Sequence, residues 1–325
     1  MTDYISSETD TKGGLIDVLL KRVHYAAKDI SLFEFGRLDN RPLPSIDAGS
    51  HVDLHLPNGM VRQYSLLSAT SDPRTYVIGV KREQRGRGGS LFMHEALHAG
   101  DQLRIGSPRN NFPLAENAKH TIFIAGGIGI TPIWCMLNRL RELGQSWQLY
   151  YSCRFTSQAL FFDELSAQRR VKFHFDDQSQ GRVIDVDEIV RQAPKYSHFY
   201  CCGPPPMMSA FERATEGWRP EQLHTEYFSN VQQAAIERRF VVQLARSGKE
   251  VIVEPGNSIL KALREAGCNV PHSCESGICG TCEMRVLGGV PDHRDNILTD
   301  AERALNTKIM ICCSGSLGER LILDL

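Results

Sequence analysis

Along the chain, apolar positions recur with two periods, and the change from one to the other divides the sequence. Between residue 15 and about 112, short β-type runs alternate with turn signals: HVDLHL at 51–56, PNG at 57–59, then YVIGV at 76–80. That spacing predicts an antiparallel barrel or sandwich. From 113 to 228 apolar runs at 121–125, 148–152, 171–175 and 198–202 alternate with helical patterns. In 132–143, Ile133, Met136, Leu137, Leu140 and Leu143 fall on one helical face. The alternation predicts a parallel α/β sheet. A polar stretch at 229–239 reads as a linker. Beyond it, 240–244 and 250–253 read as a hairpin around Ser247 and Gly248, followed by a short helix at 258–265. The expected domains are therefore 1–112, 113–228 and 240–325.

The 325-residue chain has a net charge of -1, which supplies no overall field to recruit nucleic acid or an anionic membrane. The first fourteen residues have neither the apolar core of a signal peptide nor an Arg-rich transit pattern. No apolar stretch approaches the ~20 residues of a membrane span. A soluble, cytoplasmic protein is expected. Ten cysteines in a long chain without a signal point to metal binding rather than a disulfide scaffold.

Five of those cysteines lie after residue 270. Cys274, Cys279 and Cys282 follow a C-x4-C-x2-C spacing, with Cys312 and Cys313 thirty positions on. Thiolates are soft ligands for iron and zinc. A structural zinc site typically uses two C-x2-C pairs, and a Rieske centre needs two histidines. The intervals here match the plant-type [2Fe–2S] pattern, one compact loop and one distant thiol. Gly277 and Gly280 let the loop fold tightly and turn backbone N–H groups toward sulfur. Spacing alone does not separate Cys312 from Cys313. Cys135, Cys268 and Cys313 read as small buried hydrophobes.

Two further constellations lie upstream. RQYS at 62–65 places an arginine, suited to bidentate phosphate binding, and Tyr64 on one strand face. GRGGS at 86–90 reads as a glycine turn opening a helix, a ready anion site. In the second region GGIGITP at 126–132 sits between a strand and a helix, so its glycines allow close approach of a pyrophosphate. Thr131 is expected to cap that helix and Pro132 to begin it. CGP at 202–204 ends the strand at 198–202, and Glu226 and Phe228 close the region. Taken singly, an Arg-x-Tyr is more often a surface feature, a glycine run only a turn, and Cys202 core packing.

Taken together and in this order, these motifs resemble the ferredoxin–NADP reductase superfamily, and the C-terminal region resembles plant-type ferredoxins of β-grasp fold. With the ferredoxin module last, residues ~15–325 resemble the phthalate dioxygenase reductase family. PRNNFPL at 108–114, DHRD at 292–295 and LILDL at 321–325 belong to that resemblance. It implies a flavin site lined by Arg62, Gln63, Tyr64, Ser65, Gly79, Val80, Lys81, Arg87, Gly88, Gly89 and Ser90. It implies a nicotinamide site at Gly127, Ile128, Gly129, Thr131, Pro132, Cys202, Gly203, Pro204 and Phe228. Cys202, Glu226 and Ser65 would stand beside the reacting rings. The metal ligands would be Cys274, Cys279, Cys282 and Cys312.

Asp177, after the third strand, mildly favours NADH over NADPH, while Arg154 leaves a 2′-phosphate open. The family usually carries FMN rather than FAD. The implied function is a monomeric reductase that passes electrons from NADH through FMN and the cluster to a Rieske non-haem iron oxygenase acting on an aromatic acid. Another acceptor, such as a haem monooxygenase or a quaternary-ammonium oxygenase, or a carrier or sensor without turnover, is the alternative. No general base is required, so the histidines are not catalytic candidates.

Overall fold

The computed structural model describes residues 14–67, 74–228 and 238–325, so most of the expected linker lies outside the described residues. It divides into two compact units, one ending at Glu226 and the other beginning at Tyr227. Among the described residues no helix is long and apolar enough to cross a membrane.

The first unit opens with six antiparallel strands: β1 (Leu15–Ala27), β2 (Ile30–Arg37), β3 (His51–His55), β4 (Val61–Ser65), β5 (Tyr76–Lys81) and β6 (Gln102–Gly106). Their order is β4-β3-β6-β1-β2-β5. A bridge between Leu66 and Ile78 closes the two ends, which removes the exposed edges of an open sheet. Alternate residues fill the interior: Val18, Leu20, Phe33, Phe35, Leu54 and Ile78 are all buried, as the period of two requires. Helix α1 (Gly89–Ala96) follows β5 and inserts Met93.

Five parallel strands make the second sheet: β7 (Thr121–Gly126), β8 (Trp147–Cys153), β9 (Val171–Phe175), β10 (His198–Cys202) and β11 (Leu223–Glu226). Helices α2 (Ile130–Glu142), α3 (Phe162–Ser166), α4 (Val186–Gln192) and α5 (Pro205–Ala214) connect them. The order β11-β10-β7-β8-β9 puts a reversal of winding between β7 and β10. Helix α2 buries Ile133, Met136, Leu137 and Leu140, at about 1.5–3 kcal/mol per side chain. Leu143, expected on the same face, is 38 % exposed because the helix ends one residue before it.

The helix also starts earlier than its proline signal suggested. Gly129 is its N-cap. Thr131 lies inside the first turn, where its hydroxyl donates to the Ile128 carbonyl at 2.9 Å. Pro132 is the third helical residue, still within the first turn, where no intrahelical N–H bond is lost.

The second unit holds β12 (Phe240–Leu244), β13 (Glu250–Val253), α6 (Ile259–Glu265), β14 (Glu283–Gly288), β15 (Pro291–Asp292), α7 (Asp300–Leu305), β16 (Lys308–Met310), β17 (Gly315–Ser316) and β18 (Arg320–Leu323). Its main sheet runs β13-β12-β18-β14-β16, with β12 and β18 parallel and α6 buried against it through Ile259, Leu260 and Leu263. This is the β-grasp arrangement. Ser258 caps α6 by accepting from the Lys261 N–H at 3.2 Å.

Tyr200 staples the segment between the two sheets of the first unit. Its buried hydroxyl donates to the Pro113 carbonyl at 3.0 Å and accepts from the Ala115 N–H at 2.7 Å. Tyr200→Phe leaves both backbone groups short of a partner, so a loss of about 1–3 kcal/mol is expected, read as a lower urea midpoint with an unchanged m-value.

Candidate functional site

At the winding reversal two glycine-bearing turns meet. Beyond β7, Gly127–Gly129 form a single 3-10 turn that leads straight into α2. Beyond β10 come Gly203 and Pro204. A Cβ on Gly129 would stand 2.1 Å from the Cys202 carbonyl oxygen, and one on Gly126 would stand 2.4 Å from Pro204 Cδ. Only glycine permits that approach. The N–H groups of the first turn of α2 have no side-chain cap, which leaves them available to an anion. Tyr151 fixes the turn from beneath: its buried hydroxyl donates to the Gly127 carbonyl at 3.1 Å and accepts from the Leu160 N–H at 3.0 Å. No motif announces Tyr151, since a tyrosine in a strand reads as an ordinary β-former.

Cys202 is wholly buried and pairs in register with Glu226 on β11. Burial pushes its thiol well up, and the Glu226 carboxylate adds to the effect. Burial likewise raises the Glu226 carboxyl from its ordinary 4.5 to about 8, opposed by a hydrogen bond from Ser65. The Ser65 hydroxyl donates to Glu226 Oε2 at 3.4 Å, across a sequence separation of 161 residues. The structure thus gathers Ser65, Cys202 and Glu226, while Thr131 Cγ2 approaches Gly79 to 3.0 Å of a would-be Cβ. Arg154 and Asp177 are exposed and joined by the Asp177 N–H donating to the Arg154 carbonyl at 3.2 Å. Phe228, 41 % exposed, belongs to the second unit.

On the barrel, Arg62 arches over the Gly88–Gly89 turn. Its guanidinium donates to the Arg87 carbonyl at 2.7 Å and the Val61 carbonyl at 2.8 Å. A Cβ on Gly89 would reach its Nε at 2.5 Å. Gly88, at φ +78°, is the N-cap of α1. Guanidinium, glycine turn and helix start lie together, donors of the kind that can bind a phosphate. Tyr64 lies on the same strand face as Arg62, and burial pushes its hydroxyl up to about 12. Three expected side chains are engaged within the protein. Gln63 donates to Asp53 at 2.9 Å, Lys81 pairs with Glu83 at 3.2 Å, and Ser90 accepts from the Glu83 N–H at 3.0 Å. Buried Asp53 also holds Arg109 at 2.8 Å, a clamp beneath β4 that sequence reading missed. Val80 contributes its carbonyl to His94 at 3.0 Å.

In the second unit Cys274, Cys279, Cys282 and Cys312 are buried and linked by side-chain contacts, Cys274 with Cys279 and Cys312, and Cys282 with Cys312. The four thiols share protons among themselves: the contacts push Cys274 and Cys282 below their ordinary range and Cys279 and Cys312 above it. Backbone N–H groups point at the sulfurs: Ser276 to Cys274 at 3.3 Å, Gly277 to Cys312 at 3.2 Å, and Thr281 to Cys279 at 3.4 Å. Among the described residues no group of His, Cys, Asp and Glu fits a single ion. Four thiols from one compact loop and one distant turn are the donor set that would hold a [2Fe–2S] cluster. Glu275 is exposed at φ +51°, whereas the next residue, Ser276, is buried.

The family model described as "2Fe-2S iron-sulfur cluster binding domain" matches residues 242–315, and "Oxidoreductase NAD-binding domain" matches 123–213. The chain is 46 % identical over 311 residues to "Phenoxybenzoate dioxygenase subunit beta" of Ectopseudomonas oleovorans, covering 95 % of this chain and 97 % of that one. The solved structure of phthalate dioxygenase reductase is 38 % identical with a TM-score of 0.75, covering 96 % of this chain and 98 % of that one. A self-sufficient cytochrome P450 monooxygenase matches at TM-score 0.84 and 35 % identity, covering 96 % of this chain but 41 % of that longer one.

Two outcomes follow from this geometry. Cys313 makes contacts to Met310 and Ser314, so Cys313→Ser is expected to keep the visible iron–sulfur absorbance, and Cys312→Ser to lose it. A carboxyl raised by burial contributes stability that is full below pH ~4.5 and lost as pH rises through about 8. Urea midpoints of the native protein are therefore expected to fall between pH 5 and 9, with Glu226→Gln giving the flatter profile.

Identity of 38–46 % to reductases of this kind over nearly the whole length of both chains, with the nicotinamide and iron–sulfur modules in one chain, is decisive: the chain belongs to the phthalate dioxygenase reductase family of NADH-dependent iron–sulfur oxidoreductases.

Proposed function

We propose that this chain is the reductase component of a Rieske non-haem iron oxygenase system acting on an aromatic acid. The observation that carries the reading is the combination, in one chain, of a two-electron nicotinamide site and a one-electron thiolate site. The relatives named for phenoxybenzoate and phthalate dioxygenases support the class of partner. When bound, FMN supplies the conversion between hydride and single electrons that neither other group provides.

Arg62 and the Gly88–Gly89 turn, backed by the first turn of α1, hold the FMN phosphate. Tyr64 packs against the ring, Ser65 offers it a hydroxyl, and Gly79, Val80 and Lys81 line it largely through backbone. Gln63 acts through its tie to Asp53, and Arg87 and Ser90 fix the cradle loop. The uncapped N–H groups from Gly127 to Pro132 take the NADH pyrophosphate, with Gly203 and Pro204 facing them. Asp177 and Arg154 lie toward the adenosine end. Cys202 gives the nicotinamide a dry, uncharged neighbour, and Glu226 holds a proton that keeps its half-buried carboxyl neutral near pH 7.

Plant-type clusters near roughly -400 mV can reduce a Rieske centre at about -150 mV or above. The domain boundaries at 112, 228 and 240, a monomeric state and a cytoplasmic setting belong to the same reading. A haem acceptor is the second reading, favoured by the match to the P450 monooxygenase.

Anaerobic titration with NADH is expected to bleach flavin and iron–sulfur bands together and to release FMN on acid treatment. Persistence of the oxidised cluster spectrum would sink the proposal. Turnover with a purified Rieske oxygenase, against none with a haem monooxygenase, decides the acceptor.

A further inference from the structure

The DHRD segment at 292–295 is absorbed by none of the sites above, yet it holds the most fully buried acid described in the second unit. Asp295 has no exposed surface. Its Oδ1 accepts from the N–H groups of Ile297 at 3.0 Å and Leu298 at 2.8 Å. Its Oδ2 has no hydrogen-bond partner, and the His293 Nδ1 stands 3.9 Å away. An incompletely satisfied buried carboxylate is costly, so its place in the fold calls for a reason beyond capping a turn.

The reason lies one residue on. The turn closed by Asp295 aims the Asn296 N–H at the Gly277 carbonyl, 2.9 Å away. Gly277 in turn donates its own N–H to Cys312 Sγ at 3.2 Å. Arg303 reaches the Asp295 carbonyl from α7. On the other flank Arg294 N–H donates to Ser314 Oγ at 3.1 Å, and Asp292 pairs with Gly315. Residues 291–298 thus staple the compact cysteine loop to the turn after β16 that carries the distant thiol.

We infer that Asp295 is a positioning residue for the iron–sulfur centre: by fixing the 295–298 turn it sets the Gly277 N–H bond to Cys312 and so the reduction potential. This rests on the four-cysteine reading of the cluster. Hydrogen bonds to ligand sulfur stabilise the more negative, reduced state, so loosening the turn favours the oxidised one.

Removing the carboxylate also removes a charge, so the comparison is between two variants of the full chain. Asp295→Asn keeps an Oδ1 acceptor and loses only charge, whereas Asp295→Ala loses both. A spectroelectrochemical titration followed by electron paramagnetic resonance is expected to place Asp295→Ala below Asp295→Asn. At fixed potential the reduced-to-oxidised ratio is expected to fall about tenfold, which is about 59 mV for one electron. Thr299→Ala, which breaks the neighbouring α7 cap, is expected to lower the melting temperature and leave the potential unchanged.

Equal potentials for the Ala and Asn variants, or an equal shift in Thr299→Ala, would overturn the inference. If Asp295→Ala assembles no cluster, Asp295→Ser, whose hydroxyl accepts one of the two bonds less well, takes its place under the same criterion. A native protein that binds no [2Fe–2S] cluster would instead overturn the four-cysteine reading itself.

Discussion

Everything in the first unit depends on the contact where the strand ends β7 and β10 meet. The turn at Gly126–Gly129 and the turn at Cys202–Pro204 sit so close that a single methyl at Gly129 would overlap a peptide carbonyl. That contact requires glycine at 126 and 129, and it leaves uncapped N–H groups at the start of α2. It also fixes where Cys202 stands and hence, through strand register, where Glu226 stands. The barrel reaches the same place because Ser65 at the end of β4 meets Glu226, and Gly79 admits Thr131. Residues remote in sequence converge there through sheet geometry alone.

The chemistry implied by that convergence is dry. Cys202 is wholly buried, and burial raises both its thiol and the Glu226 carboxyl. Near neutrality this leaves both groups largely uncharged, so the paired strand ends add little fixed charge there. A neutral acid there can donate a hydrogen bond that a carboxylate could not. Hydride transfer from a nicotinamide needs positioning and exclusion of water more than a base, and two neutral groups in a packed strand pair meet that need.

Much of this was legible in the sequence because the constraints are local. The C-x4-C-x2-C spacing specifies three thiols of one compact loop, and the fourth lies at Cys312 or its neighbour Cys313. The glycine runs were legible because glycine is the one residue whose absence of a side chain is itself a signal. Strands such as 171–175 and 198–202 fell where their apolar runs stood. The helix start was misplaced because Pro132 tolerates any position of the first turn, not only the first. Leu143 followed the periodicity past the point where the helix ends. Tyr151, Asp53 and Arg109 stayed invisible because their roles are long-range: each binds a partner that only the folded sheet supplies. Lys81 and Ser90 show the converse, named by resemblance but already held by Glu83.

The two electron-handling sites are built by opposite physical means, and that difference explains which could be read. At the turn after β7 the protein subtracts atoms, so that backbone meets backbone and N–H groups stay uncapped. At the thiols it adds hydrogen bonds inward, from Ser276, Gly277 and Thr281 to sulfur. Subtraction leaves a mark in the sequence, a run of glycines. Inward N–H···S bonds leave almost none, because any residue carries the donor. Their geometry depends instead on whatever holds the loop from outside, which is why a buried aspartate thirteen residues beyond the third cysteine belongs to the description of the centre as much as the ligands do.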